Sequence, residues 1–436
     1  MQPDRQTILG RWQSWPLYGR IGIAVVLGVV VGLLLGPNAA SLAIPSKLVL
    51  RLLGALAPPL ILVAVVHVLL NAQIHGRQGA RLVSLLLINT LVAISIGLLV
   101  ANVVRPGEWT DFEQPIHQEG AEKSLQELLA LFLDNIPKSL FGPLGDDGKV
   151  IGVILIAVAF GIALRRVHLR HMPMVNDALD VLLSTLIVMI HWLIEVVPLA
   201  VFGIVASIIG VKGFGDFIAL GAFVLAVLLA LALQATYYLL RIRFGSWVRP
   251  LDLLRHGRDA LVMAFSTGSS TVTMPLTYAC LKDRVGLREQ SASMGSLVGA
   301  NFNNDGTALY EAMSALFVSQ LLGKHLSLAQ QLMVVLTSVI ASVGAAGIPE
   351  AGLVTMTLVF NAVGLPVEYI AILLTVDWFL DRCRTAINVM GDMNVSCLLD
   401  GKTRAEPVAD VAETPAVVVE PASAETSAAV KHEENS

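Results

Sequence analysis

Residues 376–392 have the sequence VDWFLDRCRTAINVMGD and lie within an apolar run over about residues 369–399. Drawn as an α-helix with about 100° between residues, this stretch places its polar side chains on one stripe about 100° wide. They are Asp377, Asp381, Arg384, Thr385, Asn388 and Asp392. Ionisable residues within an apolar span are costly and usually mark a pathway or a binding site. A structural salt bridge from Asp381 to Arg384 or Arg382 is the alternative, but it leaves the rest of the stripe unexplained.

The composition of the whole chain places this stripe in a membrane. Of 436 residues, 55% are hydrophobic and 14% are charged, whereas soluble proteins have about 25% charged residues. Apolar runs recur before residue 245, and each is close to the ~20 residues that cross a bilayer. They cover about residues 21–35, 44–70, 82–104, 150–164, 182–209 and 217–240. We therefore predict an all-α polytopic membrane protein rather than a soluble enzyme.

Charge and cysteine content narrow the possibilities further. The formal net charge is −4 and the basic residues form short scattered clusters, so nucleic acid is not expected as a partner. The three cysteines offer neither a disulfide framework nor the spacing of metal ligands. Basic residues are concentrated at alternate connections, and a mostly acidic loop covers about residues 108–127. By the positive-inside rule, the N-terminus and the C-terminus are expected to be cytoplasmic.

The last third of the chain has polar clusters where a simple transmembrane helix would be apolar. Residues 266–275 (STGSSTVTMP) and 345–352 (AAGIPEAG) combine small residues with a proline, which predicts the tips of re-entrant hairpins. Residues 301–307 (NFNNDGT) predict an unwound segment within a helix. Packing of Ser and Thr between spans is the alternative for the first cluster, and an exposed loop for the Asn-rich one. Two such units, over about residues 250–323 and 325–400, are typical of the repeats that form the binding site of a secondary transporter.

The polar stripe and the predicted tips complement an acidic amino acid. Arg384 offers a planar fork to a carboxylate, and Asp381 can hold an ammonium group. A second carboxylate can be oriented by Asn388, Thr385 and Thr307, with backbone amides of the tips as further donors. A neutral substrate would leave a buried guanidinium unpaired, and a dicarboxylate without an amine would not use Asp381.

Oxygen ligands for a small cation are expected next to this site. Asp305, Asp392 and the carbonyls of the unwound segment suit sodium better than a transition metal. The sequence has no Gly-rich phosphate-binding loop with its lysine, so an ion gradient rather than ATP is expected to drive transport. Glu311 is a candidate proton carrier, because burial disfavours the charged form of a carboxyl; a hydrogen bond to a neighbouring helix is the alternative. His67 and His191 are interpreted as packed or interfacial residues.

Four stretches carry a family resemblance. They are residues 264–270 (AFSTGSS), 303–311 (NNDGTALYE), 344–349 (GAAGIP) and 376–392. With these motifs the chain resembles the dicarboxylate/amino acid:cation symporter family, the glutamate transporters, over about residues 18–400. The resemblance implies a glutamate-transporter fold with eight transmembrane helices and two re-entrant helical hairpins, assembled as a homotrimer. It also implies a transport domain that moves as an elevator against a trimerisation scaffold in the cell (inner) membrane.

The resemblance divides the chain into four parts. Residues 1–17 are expected to form a cytoplasmic N-terminus, and residues 18–245 six transmembrane helices that supply the scaffold and part of the transport domain. Residues 246–400 are expected to form the transport core of hairpin 1, broken helix 7, hairpin 2 and helix 8. Residues 401–436 contain no aromatic residue and are interpreted as a disordered cytoplasmic tail.

The resemblance also implies roles for individual residues. Asp381 is expected to hold the substrate amine, and Arg384 the side-chain carboxylate. The main-chain carboxylate is expected to bind Asn388, Thr307 and hairpin amides. The full set of expected substrate contacts is Gly268, Ser269, Ser270, Thr307, Ile348, Gly352, Asp381, Arg384, Thr385 and Asn388. The expected sodium ligands are Asn89, Thr90, Asn303, Asp305, Asn388 and Asp392.

Several positions bear on the coupling ion. Arg382, next to a first hairpin with Gly268 instead of a basic residue, resembles the arrangement in animal excitatory transporters, and Glu311 matches their proton-carrying glutamate. Departures from the family pattern occur at Asn89, Thr90, Asn301, Asn304 and Glu350. Because relatives coupled to protons exist, the expected coupling ions are sodium, or protons instead or as well, with no organic cofactor.

Other functions stay open as alternatives to uptake of glutamate or aspartate. With the same fold, the substrate could be a C4-dicarboxylate or a neutral amino acid. A passive anion channel would not give concentrative uptake. An intramembrane hydrolase would need a nucleophilic hydroxyl within residues 266–271, and no neighbouring histidine supports one. We therefore expect a transporter with the lipid bilayer and an acidic amino acid as its partners, and not an enzyme.

Overall fold

The computed structural model describes residues 15, 17–71, 76–109, 137, 139–145, 150–167, 172–213, 215–344 and 351–404. The residues in these ranges form helices and their connections, without a β-strand. The first half contains α1 (Leu17–Leu35), α2 (Ile44–Asn71), α3 (Gly76–Val104), α4 (Val150–Arg166), α5 (Met172–Lys212) and α6 (Gly215–Gly245). Each of the apolar runs predicted before residue 245 lies on one of these helices.

The second half begins with α7 (Pro250–Thr267) and α8 (Ser270–Ala279), and a π-helical turn, Cys280–Val285, follows. Residues 289–302 form a run of short helical segments, α9. The chain then continues through α10 (Asp305–Leu321), α11 (Leu328–Gly344), α12 (Ala351–Ala362) and α13 (Ile370–Asp400). The predicted second tip at residues 345–350 and the predicted tail from residue 405 onward lie outside the described residues.

The chain reverses direction between α7 and α8 at the first predicted tip. Gly268 ends α7 with φ +66°, a left-handed conformation that glycine adopts without a steric penalty. The hydroxyl of Ser269 then accepts a hydrogen bond from the Val272 amide at 3.2 Å and caps α8. The two helices pack against each other, so the small polar residues form the turn of a helical hairpin.

The predicted unwound segment separates α9 from α10. Asn303 (φ −96°, ψ 80°) and Asn304 (φ −109°, ψ 47°) leave the helical conformation, and the expectation of a broken helix is confirmed. The following helix, α10, is buried from Asp305 to Gln320, because α3, α6, α11, α12 and α13 surround it. The break therefore lies inside protein, where its free backbone groups can be satisfied.

The helices pack in two groups. In the first group, α5 contacts α1 and α2, and α2 contacts α4. Small residues allow close approach here: a Cβ on Gly32 of α1 would lie 2.6 Å from the carbonyl oxygen of Ala206 in α5. In the second group, α3, α6 and α13 surround α10, and α13 also packs with both helices of the hairpin, α7 and α8. Of the polar sequence motifs, the first tip and the stripe of α13 lie in the second group, and the unwound segment leads directly into α10.

Several helices have the length and surface of membrane spans. Among the described residues, three spans are both long and apolar enough to cross a bilayer: Gly19–Val49, Gln78–Glu108 and Ile218–Gly245. Among the other predicted spans, α5 carries Glu195 and α13 carries the polar stripe. Large apolar side chains such as Leu34 (78% exposed) lie on the outer surface, as expected for contact with lipid.

Candidate functional site

The polar stripe of α13 is buried in the centre of the second group. All six predicted residues lie on this helix with little or no exposed surface: Asp377, Asp381, Arg384, Thr385, Asn388 and Asp392. Burial of so many polar groups is stable only when they are paired. Their partners come from one another, from the unwound segment and from α10, and these contacts define the chemistry of the site.

Arg384 is fully buried and only partly paired. Its Nη2 donates to Asp381 Oδ1 at 2.8 Å and lies 3.0 Å from Asp377 Oδ1. The guanidinium carbon lies 4.0 Å from the centre of the Tyr310 ring, a cation–π contact. Within the described parts of the chain, Nε and Nη1 have no hydrogen-bond partner. The guanidinium therefore keeps two donors that a bound carboxylate could use.

Gly352 and Gly268 approach this ion pair from the two hairpin regions. A Cβ on Gly352, at the start of α12, would lie 3.1 Å from Arg384 Nη1. A Cβ on Gly268 would lie 3.1 Å from Asp381 Oδ2 and 3.5 Å from Arg382 Nη1. Asp381 thus faces Arg384 with one oxygen and the first hairpin with the other. The absence of side chains at the two glycines leaves access to both charges.

The turn of the first hairpin is tied to α9. Ser270 is buried and donates through Oγ to the carbonyl oxygen of Ala300 at 3.0 Å. Ser269 is buried as well and caps α8. Among the other expected substrate contacts, the hydroxyl of Thr385 donates to the Asp381 carbonyl at 2.8 Å, and Ile348 lies outside the described residues. The roles of these residues in substrate binding remain predictions.

Asn388 and Thr307 join the stripe to the N-terminus of α10. The Gly306 amide donates to Asn388 Oδ1 at 2.8 Å, and Asn388 Nδ2 points to Thr307 Oγ1 at 3.5 Å. Backbone amides at a helix N-terminus carry partial positive charge. This end of α10 therefore offers donors to a second anionic group, next to the free donors of Arg384.

Asn303 links the unwound segment to α13. Its Nδ2 donates to the Asn388 carbonyl at 2.9 Å and to Asp392 Oδ1 at 3.0 Å. Its Oδ1 is buried and has no hydrogen-bond partner among the described residues. No basic side chain within the described ranges forms an ion pair with Asp392. The combination of an unpartnered amide oxygen and a buried carboxylate suits a small cation with oxygen ligands.

Gly391 allows α13 to approach this segment closely, and we expect Gly391→Ala to destabilise the site. The new Cβ would lie 2.3 Å from Asn303 Nδ2 and 2.8 Å from the Tyr238 hydroxyl. Asn303 is held by two hydrogen bonds, so relief of the overlap should cost about 1–3 kcal/mol. The melting temperature of the purified protein in detergent should fall by a few degrees. Gly221→Ala in α6, with nothing within 4 Å of the new Cβ, is the matched control, and equal melting of the two variants would contradict the packing argument.

The remaining predicted sodium ligands form a separate cluster. Thr90 Oγ1 donates to Asp305 Oδ1 at 2.7 Å, and the Tyr238 hydroxyl donates to Asp305 Oδ2. The side-chain oxygen of Asn89 accepts a hydrogen bond from Arg241. This placement does not favour Asn89 as a cation ligand, because a guanidinium lies at its oxygen. Sequence reasoning missed Tyr238 and Arg241, although their spacing places them one turn apart on the same helix.

Glu311 is fully buried in α10. Its Oε1 accepts a hydrogen bond from Thr355 of α12, while Oε2 has no partner among the residues that the structure describes. Glu311 is also electrostatically attracted to Arg384. The geometry is compatible with both interpretations of Glu311, the proton carrier and the hydrogen bond to a neighbouring helix. One carboxyl oxygen makes the hydrogen bond, and the other could hold a proton.

His67 is not part of this site. His67 Nε2 lies 2.6 Å from Asp180 Oδ1, which joins α2 to α5, in the first group of helices. This contact agrees with the interpretation of His67 as an interfacial residue. The side chain of His191 lies outside the described residues.

Comparison with known proteins places the whole chain in one family. The model of the sodium:dicarboxylate symporter family matches residues 17–402. An excitatory amino acid transporter of Caenorhabditis elegans is 31% identical, over 90% of this chain and 89% of the relative. Excitatory amino acid transporter 3 of Oryctolagus cuniculus is 28% identical, over 87% of this chain and 84% of the relative.

A third relative is named as a transporter of neutral amino acids. Neutral amino acid transporter B(0) of Oryctolagus cuniculus is 30% identical, over 85% of this chain and 77% of the relative. All three relatives are integral membrane transporters rather than enzymes, in agreement with the apolar composition and the buried polar stripe. The match over residues 17–402 confirms the resemblance found in the four sequence motifs. The chain belongs to the sodium:dicarboxylate symporter family.

Proposed function

We propose that this protein imports acidic amino acids, glutamate or aspartate, by symport with sodium, with protons, or with both. The observation that carries this proposal is Arg384, which is fully buried and keeps Nε and Nη1 without partners among the described residues. A buried guanidinium with free donors is costly unless a ligand completes it. A carboxylate, which accepts charge-assisted hydrogen bonds from guanidinium nitrogens, is the ligand that matches these donors.

Asp381 supports the amino acid rather than the dicarboxylate alternative. One carboxylate oxygen pairs with Arg384, and the other faces Gly268. An ammonium group between Asp381 and the first hairpin would be balanced by this oxygen. Amides at the N-terminus of α10 and the side chain of Asn388 would then hold the second carboxylate of the substrate.

Cation coupling is supported by the surroundings of Asp392. This carboxylate is buried, and the described partner of its Oδ1 is a neutral amide. A sodium ion next to Asp392, Asn303 Oδ1 and the carbonyls of the unwound segment would balance the negative charge. The cation and the anionic substrate would then be transported together, because each reduces the cost of burying the other. The name of the family, sodium:dicarboxylate symporter, agrees with this coupling.

We further propose the transport architecture implied by the family. It comprises eight transmembrane helices, two re-entrant hairpins, a homotrimer in the cell (inner) membrane and cytoplasmic termini. The two groups of helices support an elevator, because the charged stripe of α13 and its partners in α10 lie in the group of α3, α6, α7, α8, α10 and α13. Gly352 and Thr355 of α12 pack against this site. The group of α1, α2, α4 and α5 would form the scaffold against which this unit moves.

Uptake into liposomes tests the proposed function. The purified full-length protein should accumulate labelled aspartate or glutamate under an inward sodium gradient, an inward proton gradient, or both. Each gradient is imposed alone, with protein-free liposomes as the control. Labelled serine and labelled succinate distinguish the alternatives, because a neutral amino acid transporter would concentrate serine and a C4-dicarboxylate transporter would concentrate succinate. Equilibration without accumulation would indicate a channel and contradict symport.

Asp381→Asn separates recognition of the amine from recognition of the carboxylate. We expect inhibition of uptake by unlabelled aspartate to weaken at least tenfold more than inhibition by unlabelled succinate, because only aspartate has an ammonium group. The comparison is made within one variant, so a general loss of activity affects both ligands. Glu289→Asn, a change at an exposed carboxylate of α9, is the control. Equal weakening for both ligands would remove Asp381 from the amine site.

A further inference from the structure

Arg241 is a basic residue that the proposed substrate site does not use. It lies in α6, it is half-buried, and its guanidinium donates through Nη1 to the side-chain oxygen of Asn89 in α3. Asn89 is fully buried. An arginine near the end of a membrane-spanning helix would normally extend its side chain towards the membrane surface. Here it is directed into the second group of helices instead.

The amide of Asn89 is held by a network that keeps its oxygen towards Arg241. Its Nδ2 donates to Asn394 Oδ1 at 3.3 Å, and Asn394 Nδ2 donates to the Tyr238 carbonyl at 2.9 Å. The backbone carbonyl of Asn89 lies 3.5 Å from Gln234 Nε2. The amide nitrogen is therefore used by α13, and the amide oxygen is left for the guanidinium.

The same two helices supply the direct partners of Asp305. Thr90, the residue after Asn89, donates to one carboxylate oxygen, and Tyr238, one turn before Arg241, donates to the other. Asp305 is fully buried, and both donors are neutral. Arg241 is held by the residue before Thr90 and lies one turn from Tyr238, so its positive charge acts on the Asp305 carboxylate. Asn89 thus holds the guanidinium of Arg241 near the buried carboxylate of Asp305, whose two direct hydrogen-bond donors are neutral.

The two buried carboxylates of the predicted cation region differ in this respect. Among the described residues, Asp305 forms no ion pair but is attracted by the guanidinium of Arg241, whereas no basic side chain acts on Asp392, which is repelled by Asp305. A carboxylate in a low-dielectric interior needs a counter-charge or a proton. A transported cation would balance the charge of Asp392, but at Asp305 it would meet the repulsion of Arg241.

We propose that Arg241 is the permanent counter-charge of Asp305, so that this carboxylate takes no transported cation. The inference rests on the proposed symport and specifies its cation stoichiometry. Because α6 packs with α13 and α10 in one group, Arg241 stays beside Asp305 whichever way that group moves. A built-in cation moves in both the loaded and the empty state and therefore contributes nothing to the net charge transported. The transporter then couples to one cation fewer than it would with both carboxylates free.

The number of charges moved per substrate tests this inference. The full-length protein is placed in liposomes with a set aspartate gradient and with equal sodium and proton concentrations on both sides. The membrane potential at which net flux of labelled aspartate vanishes then gives the charge per substrate. We expect Arg241→Gln to increase this number by one, because Asp305 then needs a transported cation. Arg241→Lys keeps the positive charge and should have the wild-type number. Arg243→Gln, two residues along α6 and exposed, is the matched control.

A second variant covers the case in which Arg241→Gln does not fold. The double variant Arg241→Gln/Asp305→Asn removes both charges together, and its charge per substrate should equal that of the wild type. A number lower by one would mean that Asp305 binds a transported cation in the wild type, and it would overturn the inference. Equal numbers in the wild type and Arg241→Gln would also overturn it while leaving symport intact. A wild type without concentrative uptake would overturn the proposed function, and the inference with it.

Discussion

Arg384→Ala should abolish the preference for acidic substrates and raise the apparent KM for aspartate at least a hundredfold. The wild-type guanidinium has Nε and Nη1 available, without partners among the described residues. Hydrogen bonds between charged groups contribute about 1.5–3 kcal/mol each, and every ~1.4 kcal/mol is a factor of ten in affinity. Loss of two such bonds therefore predicts a hundredfold to ten-thousandfold change. Residual uptake should accept neutral amino acids about as well as acidic ones.

Competition distinguishes this result from a general loss of activity. Uptake of labelled serine by Arg384→Ala is measured with unlabelled aspartate and unlabelled alanine as competitors, and the two should inhibit similarly. Arg382→Ala is the control, because Arg382 is the neighbouring arginine and faces the first hairpin at Gly268 rather than Gly352. This control should lower the rate without a change in selectivity. If Arg384→Ala still favours aspartate over alanine as strongly as the wild type, the carboxylate assignment is wrong.

The parts of the fold that could be predicted are those with a local physical cause. Three asparagines and an aspartate around residue 303 could not continue an apolar helix at acceptable cost, and the chain unwinds there. Gly268 and Ser269 predicted a turn for a similar reason, since one permits a positive φ and the other caps a helix. The stripe of α13 followed from helical periodicity alone. These features depend on residues near each other in the chain.

The contacts that could not be predicted join helices that are far apart in the sequence. Tyr238 and Arg241 lie in a helix that otherwise has an apolar sequence, and their partners Asp305 and Asn89 are far away in the chain. The cation–π contact of Arg384 with Tyr310 likewise depends on how α10 and α13 pack. A local signal did exist in the spacing of Tyr238 and Arg241, which places a hydroxyl and a charge on one face. Only the packing shows what that face contacts.

Glu311→Gln should abolish transport driven by a proton gradient. Glu311 is fully buried, accepts a hydrogen bond from Thr355, and has a second oxygen without a partner among the described residues. A proton bound at that oxygen would neutralise the carboxyl before the site crosses the low-dielectric interior. Lower outside pH should therefore increase wild-type uptake. Glutamine resembles the protonated acid but cannot release a proton, so the variant should lose both this pH dependence and proton-driven accumulation.

Exchange of labelled for unlabelled aspartate at equal pH on both sides provides the internal control for this variant. Exchange needs no net proton movement, so Glu311→Gln should retain it within a few-fold while it loses net uptake under the proton gradient. Glu368→Gln, a change at an exposed glutamate before α13, should leave both activities as in the wild type. Full proton-driven accumulation by Glu311→Gln would exclude Glu311 as the carrier. Loss of exchange together with net uptake would instead assign the residue to the structure of the site, because the hydrogen bond from Thr355 links α10 to α12.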